Sequence, residues 1–268
     1  MRTCKRAGVL FALLVLSASV CPVSAASQPI DPLRRPASSG GSIEIALGAH
    51  YHPRFEETVV PGSGGPEIER RVRHAAGIEL ALNYPASPHL SFTVARSWNG
   101  QVAVSERMAP SAGYWTAHGL SRVPAAAVSV LGVTISPWPD HALDPAIRLQ
   151  FTAEGAATLG LSASAIWDPV VVSGRVGVVK SPGEAPALEL SVGAGFVANN
   201  RVSFGASMSH ATAPGTARPP TTVFTARVGY ALRARSAAEI GVTASLYVGG
   251  NAPSAGFGVY WQGEAFSW

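Results

Sequence analysis

The sequence predicts an all-β chain: a closed antiparallel transmembrane β-barrel of about twelve strands, wound as an up-and-down meander. Three observations carry that reading. Apolar residues recur at every second position through successive segments. No apolar run reaches the length of a membrane-spanning helix, and the connections between segments alternate between short and long. A period of two means strands with one apolar and one polar face. Only 13% of residues are charged and 47% are hydrophobic. Lipid-facing strands explain that balance, because each strand is only half apolar and overall hydropathy stays mild. A secreted β-sandwich shares the alternation but has no reason to alternate its loop lengths.

The N-terminus sets the compartment. Arg2, Lys5 and Arg6 precede the apolar run Val9 to Leu16, and Val23-Ser24-Ala25 offers a small-residue cleavage site. This is the pattern of a secretory signal peptide over residues 1–25. Cys21 raises a lipoprotein reading, but Ala18-Ser19-Val20 before it fit that signal poorly. Both cysteines, Cys4 and Cys21, fall within the signal, so the processed chain has neither disulfide nor thiol chemistry. Three of the 20 basic residues leave with it, and the formal charge falls from +4 to about +1. A nucleic-acid surface has no support in that balance. Residues 26–41, with Pro29, Pro32, Pro36 and Ser38-Ser39-Gly40-Gly41, read as a disordered periplasmic linker. The barrel follows over 42–268.

Strand one is expected over about 42–52, with Ile43, Ile45, Leu47, Ala49 and Tyr51 on one face. Residues 53–70 read as a loop, because they hold Pro53, Gly62-Ser63-Gly64-Gly65-Pro66 and several charges. Strand two, about 71–84, sends Ile78, Leu80 and Leu82 outward and Glu79 inward; Pro85-Ala86-Ser87-Pro88 turns the chain into strand three with Leu90, Phe92 and Val94. Residues 98–124 read as the longest loop and the first place to look for function. Strand four, about 125–135, changes parity between Val128 and Val130 and the set Leu131, Val133 and Ile135, which a bulge near Gly132 explains. Strand five places Ile147, Leu149 and Phe151 outward against Arg148, Gln150, Thr152 and Glu154.

Strands six and seven follow, through Leu159 to Trp167 and Val172 to Val178. Four cleaner strands come next, through Leu188 to Phe196, Val202 to Met208, Phe224 to Leu232 and Ile240 to Val248. Asn199-Asn200 makes a compact turn, since Asn tolerates left-handed backbone angles. The twelfth strand runs from about Ala255. Phe257, Val259 and Trp261 share one parity while Phe266 and Trp268 share the other, so either a bulge lies near Gly263 or the strand ends at Trp261.

A strand protein crosses a bilayer only as a closed barrel, because every backbone polar group must pair internally. Aromatics near the expected strand ends (Tyr84, Trp98, Trp167, Phe196, Tyr230 and Trp261) match interface girdles. Twelve strands imply a backbone diameter of roughly 24 Å and a narrow lumen. The expected lumen lining includes Glu44, Glu79, Arg148, Glu154, Arg175, Glu189, Arg227 and Glu239. Such charges serve equally well as a packed plug paired across the interior or as the lining of a solute path.

Other chemistry is thin. His50-x-His52 has strand-compatible metal spacing but no cysteine partner. Gly62-Ser63-Gly64-Gly65 is phosphate-cradle-like only in glycine content, with no following Lys-Ser/Thr. Ser207, Ser209 and His210 would have to form a rim nucleophile and base for a hydrolase, and strand residues grading into a loop explain them better. Trp98, Tyr114 and Trp115 suit an interface girdle better than a ligand site. No catalytic residue, metal site or cofactor is expected.

Asp168-Pro169-Val170-Val171, the strand end Phe196-Val197-Ala198-Asn199-Asn200-Arg201-Val202-Ser203, and Gly249-Gly250-Asn251-Ala252-Pro253-Ser254 before a closing strand rich in glycine and aromatics carry a likeness. Over about 145–262 the chain resembles the phenol meta-pathway type of outer-membrane transporter, a grouping that includes pores exporting functional amyloid subunits. The resemblance implies a twelve-strand barrel with a transport role and supplies no catalytic residues. The expectation is a Gram-negative outer-membrane channel for small, hydrophobic or aromatic solutes or for an exported chain. The alternative is a structural or surface-interaction barrel with an occluded lumen. Its expected surroundings are outer-membrane lipid, lipopolysaccharide and the barrel assembly machinery.

Overall fold

The computed structural model describes residues 42–62, 65–108, 114–139, 143–167, 169–198, 201–212, 220–232, 238–249 and 254–266. The expected signal peptide and linker lie outside them, as do Asn199 and Asn200. Twelve strands follow one another: β1 Ile43–Gly62, β2 Gly65–Ser87, β3 Leu90–Met108, β4 Thr116–Ile135, β5 Leu143–Thr152 and β6 Ala157–Trp167. The second half is β7 Val170–Lys180, β8 Ala187–Ala198, β9 Val202–Ala211, β10 Thr221–Ala231, β11 Glu239–Val248 and β12 Ser254–Phe266. Each strand pairs antiparallel with the next, and β12 returns to β1 to close the barrel. The up-and-down meander expected from the alternation is the fold observed.

The exposed side chains show which face meets lipid. Along β11, Ile240, Val242, Ala244, Leu246 and Val248 are exposed, and the residues between them are half-buried. Val242 is 55% exposed, Val192 54% and Phe257 61%, whereas no large side chain among the described residues is fully buried. That reverses the order of a soluble domain, which hides such residues. A hydrocarbon surround removes the penalty. Aromatics bound the apolar band at both ends. Trp167, Phe196, Phe204, Tyr230 and Trp261 stand toward the chain-terminal end, with Phe196 and Phe204 stacked at 5.0 Å. Tyr51, Phe257, Phe224 and Phe151 stand toward the other. Trp98 lies inside β3 and not at a strand end, one same-face step from the level of Tyr51 and Phe257.

The first four strands differ from the sequence expectation. Residues 53–70 and 98–124 are not loops. β1 and β2 remain paired out to Gly62 and Gly65, and β3 and β4 out to Arg107 and Thr116. The β2–β3 ladder extends equally far, from Ser87–Leu90 to Ile68–Met108. These strands have 19 to 23 residues, against 10 to 13 in the other eight. The surplus raises a four-stranded wall roughly 25 Å above one arc of the rim, at about 3.3 Å per residue and the usual tilt. Alternation persists there through Phe55, Val59, Val72, Val102 and Val104, but charges sit on both faces. Water on both sides of the wall permits that, and the resulting polarity imitates loop composition.

The wall has two edges. The β12 ladder stops at Tyr51 and the β5 ladder at Val130, so the outer parts of β1 and β4 pair on one side only among the described residues. Pro53 and Pro61 lie on the first edge and Pro124 on the second. Proline is tolerated on an edge strand and discourages further pairing there. Two irregularities in the β3–β4 register, between Asn99 and Gln101 and between Ser105 and Glu106, fall within the wall.

Two smaller expectations resolve. No bulge occurs at Gly132: the β4 ladders run unbroken on both sides of it, and Val128 and Val130 face the lumen. The parity change in that strand is therefore a pair of inward valines, and Val128 is buried at 5% exposure. The bulge near Gly263 is real, with the register shifting where Glu264 and Phe266 meet Glu44 and Ile43. β12 therefore runs past Trp261.

Among the described residues, tight turns link β2 to β3 at the opposite rim and β5 to β6 at the outer one. At β5–β6, Gly155 has φ of 87°, which glycine adopts without strain. Its N–H donates to Thr152 O at 3.0 Å, while Ala156 N–H donates to the Thr152 hydroxyl at 3.1 Å. Because the wall stands apart from the closed ladder, the barrel should fold without it. Replacing residues 54–73 and 101–123 by two-residue Asn-Gly turns should leave heat-modifiable electrophoretic mobility intact. Loss of that mobility shift would show that the wall is required for closure.

Candidate functional site

The lumen is lined mainly by small residues along β7–β12. Following the register around the barrel, Ser173, Gly193, Ser207, Thr225, Ser245 and Gly256 stand side by side on six consecutive strands. Thr225 and Ser245 hydroxyls hydrogen-bond at 3.1 Å. Four of these six residues carry hydroxyls and two are glycines, so none of the side chains projects far from the wall at this level.

Seven of the eight charges expected in the lumen occupy inward register positions: Glu44, Glu79, Arg148, Arg175, Glu189, Arg227 and Glu239. Glu154 lies past the end of β5, in the turn to β6. Arg227 donates from Nε to the Tyr260 hydroxyl at 2.6 Å and from Nη2 to Glu239 Oε1 at 2.6 Å. Tyr260 donates to the same Glu239 oxygen at 2.5 Å, and the guanidinium lies 4.1 Å from the Tyr260 ring centre. Both charged side chains are about 15% exposed, so this is a largely desolvated and mutually satisfied cluster. Glycine makes room for it. A Cβ on Gly229 would overlap the Glu239 carboxylate, and one on Gly241 would overlap the Tyr260 ring.

A looser pair stands on β7 and β8. Arg175 Nη2 is 4.0 Å from Glu189 Oε2, and both side chains are largely covered. The Arg175 guanidinium lies over Gly160, with Nε 3.2 Å from where a Cβ would stand. Near the terminal end, Asn83 donates to Glu44 at 3.0 Å and accepts from Thr93 at 3.1 Å. Each of these contacts joins strands that are neighbours in the barrel or one strand apart. The side chains lie along the wall of the bore.

Several lumen groups were not legible as such in the sequence. Tyr260 is an inward aromatic in a strand whose other aromatics face lipid, and only the parity of β12 reveals it. His52 shares a hydrogen bond with the Ser254 hydroxyl at 2.8 Å, and its ring lies tilted against Tyr247 with centroids 4.2 Å apart. It ties the outer ends of β1, β11 and β12 together. Ser207 and Ser209 face the lumen, but His210 faces outward and hydrogen-bonds Thr222 at 2.9 Å. A serine and histidine on opposite faces of one strand cannot act as nucleophile and base. Among the described residues no group of three His, Cys, Asp or Glu side chains gathers for a metal.

The inner face of the wall continues the lumen face upward. There Glu69, Arg71, Ser105, Arg107, Gly119, Leu120 and Ser121 border an open hollow of about 370 Å³. Arg107 donates to Glu69 Oε2 from Nη2 at 3.2 Å and from Nε at 3.4 Å. Arg71 Nη2 lies 3.9 Å from the other Glu69 oxygen, and its Nε donates to Ser105 at 3.4 Å. On the outer face Arg70 pairs with Glu57 at 2.8 Å and covers Trp115 at 4.6 Å.

No protein-family model and no curated protein sequence matches the chain. Among solved structures it is similar to the COG4313 outer-membrane channel from Pseudomonas putida F1, with 10% identity and a TM-score of 0.56 over 88% of this chain and all of that one. The fold is that of an outer-membrane barrel. A second similar structure is the CymD monoaromatic hydrocarbon channel, at 11% identity and a TM-score of 0.48, covering 88% of this chain and 91% of that one.

Proposed function

We propose that this chain is an outer-membrane channel that passes small solutes through an open, hydroxyl-lined bore. The observation that carries the reading is the direction of the lumen side chains. The Arg227–Glu239–Tyr260 and Arg175–Glu189 groups lie flat over glycines and pair along the wall, and the ring through Ser207 and Thr225 is too short to fill the interior. A packed plug requires large side chains meeting across the middle. The overall likeness to an outer-membrane channel accords with this role. Such a bore would pass small solutes, including the aromatic cargo that the sequence resemblance implies, with no catalytic step on the way.

The test is conductance. Refolded protein added to planar bilayers should give discrete current steps, and Thr225→Trp, which places a large ring at the hydroxyl ring, should cut the step size several-fold. Protein that shows the folded mobility shift and never conducts would refute an open bore and favour the occluded surface-interaction barrel. The membrane location is checked separately by fractionation, in which the processed chain should remain with outer-membrane vesicles.

A further inference from the structure

The cavity on the inner face of the wall has a composition of its own. Two guanidiniums flank one carboxylate. Glu69 is mostly covered, its side chain 15% exposed, whereas Arg107 is 32% and Arg71 47% exposed. A guanidinium has more N–H donors than one carboxylate oxygen can take, so Glu69 spaces and orients the two heads without saturating them. The Ser105 and Ser121 hydroxyls complete the polar lining. At Gly119 a Cβ would meet nothing within 4 Å, so the cavity has free volume there. Within the hollow itself the two guanidiniums outnumber the one carboxylate, so its local charge is positive.

We propose that this cavity is a binding site for small monocarboxylates at the mouth of the channel. A planar carboxylate matches the fork of an arginine in two parallel hydrogen bonds. The local charge, two arginines less Glu69, suits a single negative charge. A dianion such as phosphate would meet Glu69 as well. An open hollow of about 370 Å³ has room for an acid of the size of benzoate, held by its carboxylate with the ring left partly in water. The site's part in uptake rests on the channel reading above; its occupancy does not. Carboxylates held there stand over the lumen entrance, and their local concentration rises as it does in any charged funnel.

The test is titration calorimetry on full-length refolded protein in detergent micelles at low salt, with benzoate, benzyl alcohol and inorganic phosphate as separate probes. Benzoate should bind, and the other two should bind at least about tenfold more weakly, the loss expected when a charge-assisted bidentate pair is missing or opposed. Arg71→Gln and Arg107→Gln should each weaken benzoate by roughly tenfold, with Arg107→Lys recovering part of the loss because charge returns without the fork. Arg122→Gln, on the outer face of the same wall, should change nothing. Gly119→Trp fills the cavity while leaving both arginines in place, and it should abolish binding with the folded mobility shift intact. Equal binding of benzyl alcohol, or benzoate binding indifferent to Gly119→Trp, would overturn the proposal. Protein that conducts but binds no benzoate rejects this site and keeps the channel. Protein that binds benzoate but never conducts rejects the channel and keeps the site.

Discussion

Val242→Arg should destabilise the barrel by about 2–4 kcal/mol, the cost of an arginine near the bilayer midplane on a lipid-facing strand. Its neighbour Thr243→Arg should cost far less, because that side chain projects into the aqueous bore. The two residues are adjacent in β11, share its backbone environment and differ only in face: Val242 is 55% exposed and Thr243 is half-buried. Urea unfolding in lipid vesicles reads the difference directly. Thr243→Arg should also lower conductance, since it adds bulk and charge to the bore. Equal stability of the two variants would mean that no hydrocarbon covers the apolar face, and the transmembrane reading would fall with it.

Gly241→Val should prevent assembly. A Cβ there would overlap the Tyr260 ring and also the Val228 carbonyl oxygen, which belongs to the ladder and cannot move aside cheaply. Relief requires opening the β10–β11 pairing or ejecting Tyr260 from its bonds to Arg227 and Glu239. Either route costs several kcal/mol, because a charged pair in a largely desolvated cluster is left incomplete. Gly48→Ala is the control. It also faces the lumen and stands opposite Tyr260, yet its nearest neighbours to an added Cβ are Val259 O at 3.9 Å and Glu79 Cβ at 4.0 Å. Refolding yield, read from the mobility shift, should collapse for Gly241→Val and hold for Gly48→Ala. Comparable yields would show that the glycines are not spacers for the buried charges.

The barrel was legible in the sequence because lipid imposes one rule on every strand: apolar out, polar in. From Leu188 to Val248 that rule is obeyed almost without exception, and strand, face and turn all follow from it. It failed in two kinds of place. Above the membrane, β1–β4 face water on both sides, so Arg70, Glu106 and Arg122 sit on the face that lipid would occupy lower down, and strand composition becomes indistinguishable from loop composition. Inside the bore, Val128 and Val130 face inward because nothing there forbids an apolar residue. Individual lumen charges were found from parity, but their pairing was not. Arg227 meets Glu239 and Tyr260 through two neighbouring strands, and a single sequence holds no register between strands. The mouth cavity was hidden for the same reason. Glu69, Arg107 and Ser121 lie on three strands whose alignment depends on where the hairpins turn.

On the proposed channel reading, the hydroxyl lining bears on where solutes would be told apart. A polar molecule moving past Ser173, Ser207 and Thr225 exchanges contacts with water for nearly equivalent ones. At the level of that ring the passage is then energetically flat and does not reward one passenger over another of similar girth. Discrimination falls to the paired charges elsewhere in the bore and to what happens before entry. A wall that the barrel is expected not to need for closure is then free to diverge in its preferences while the conduit beneath stays the same.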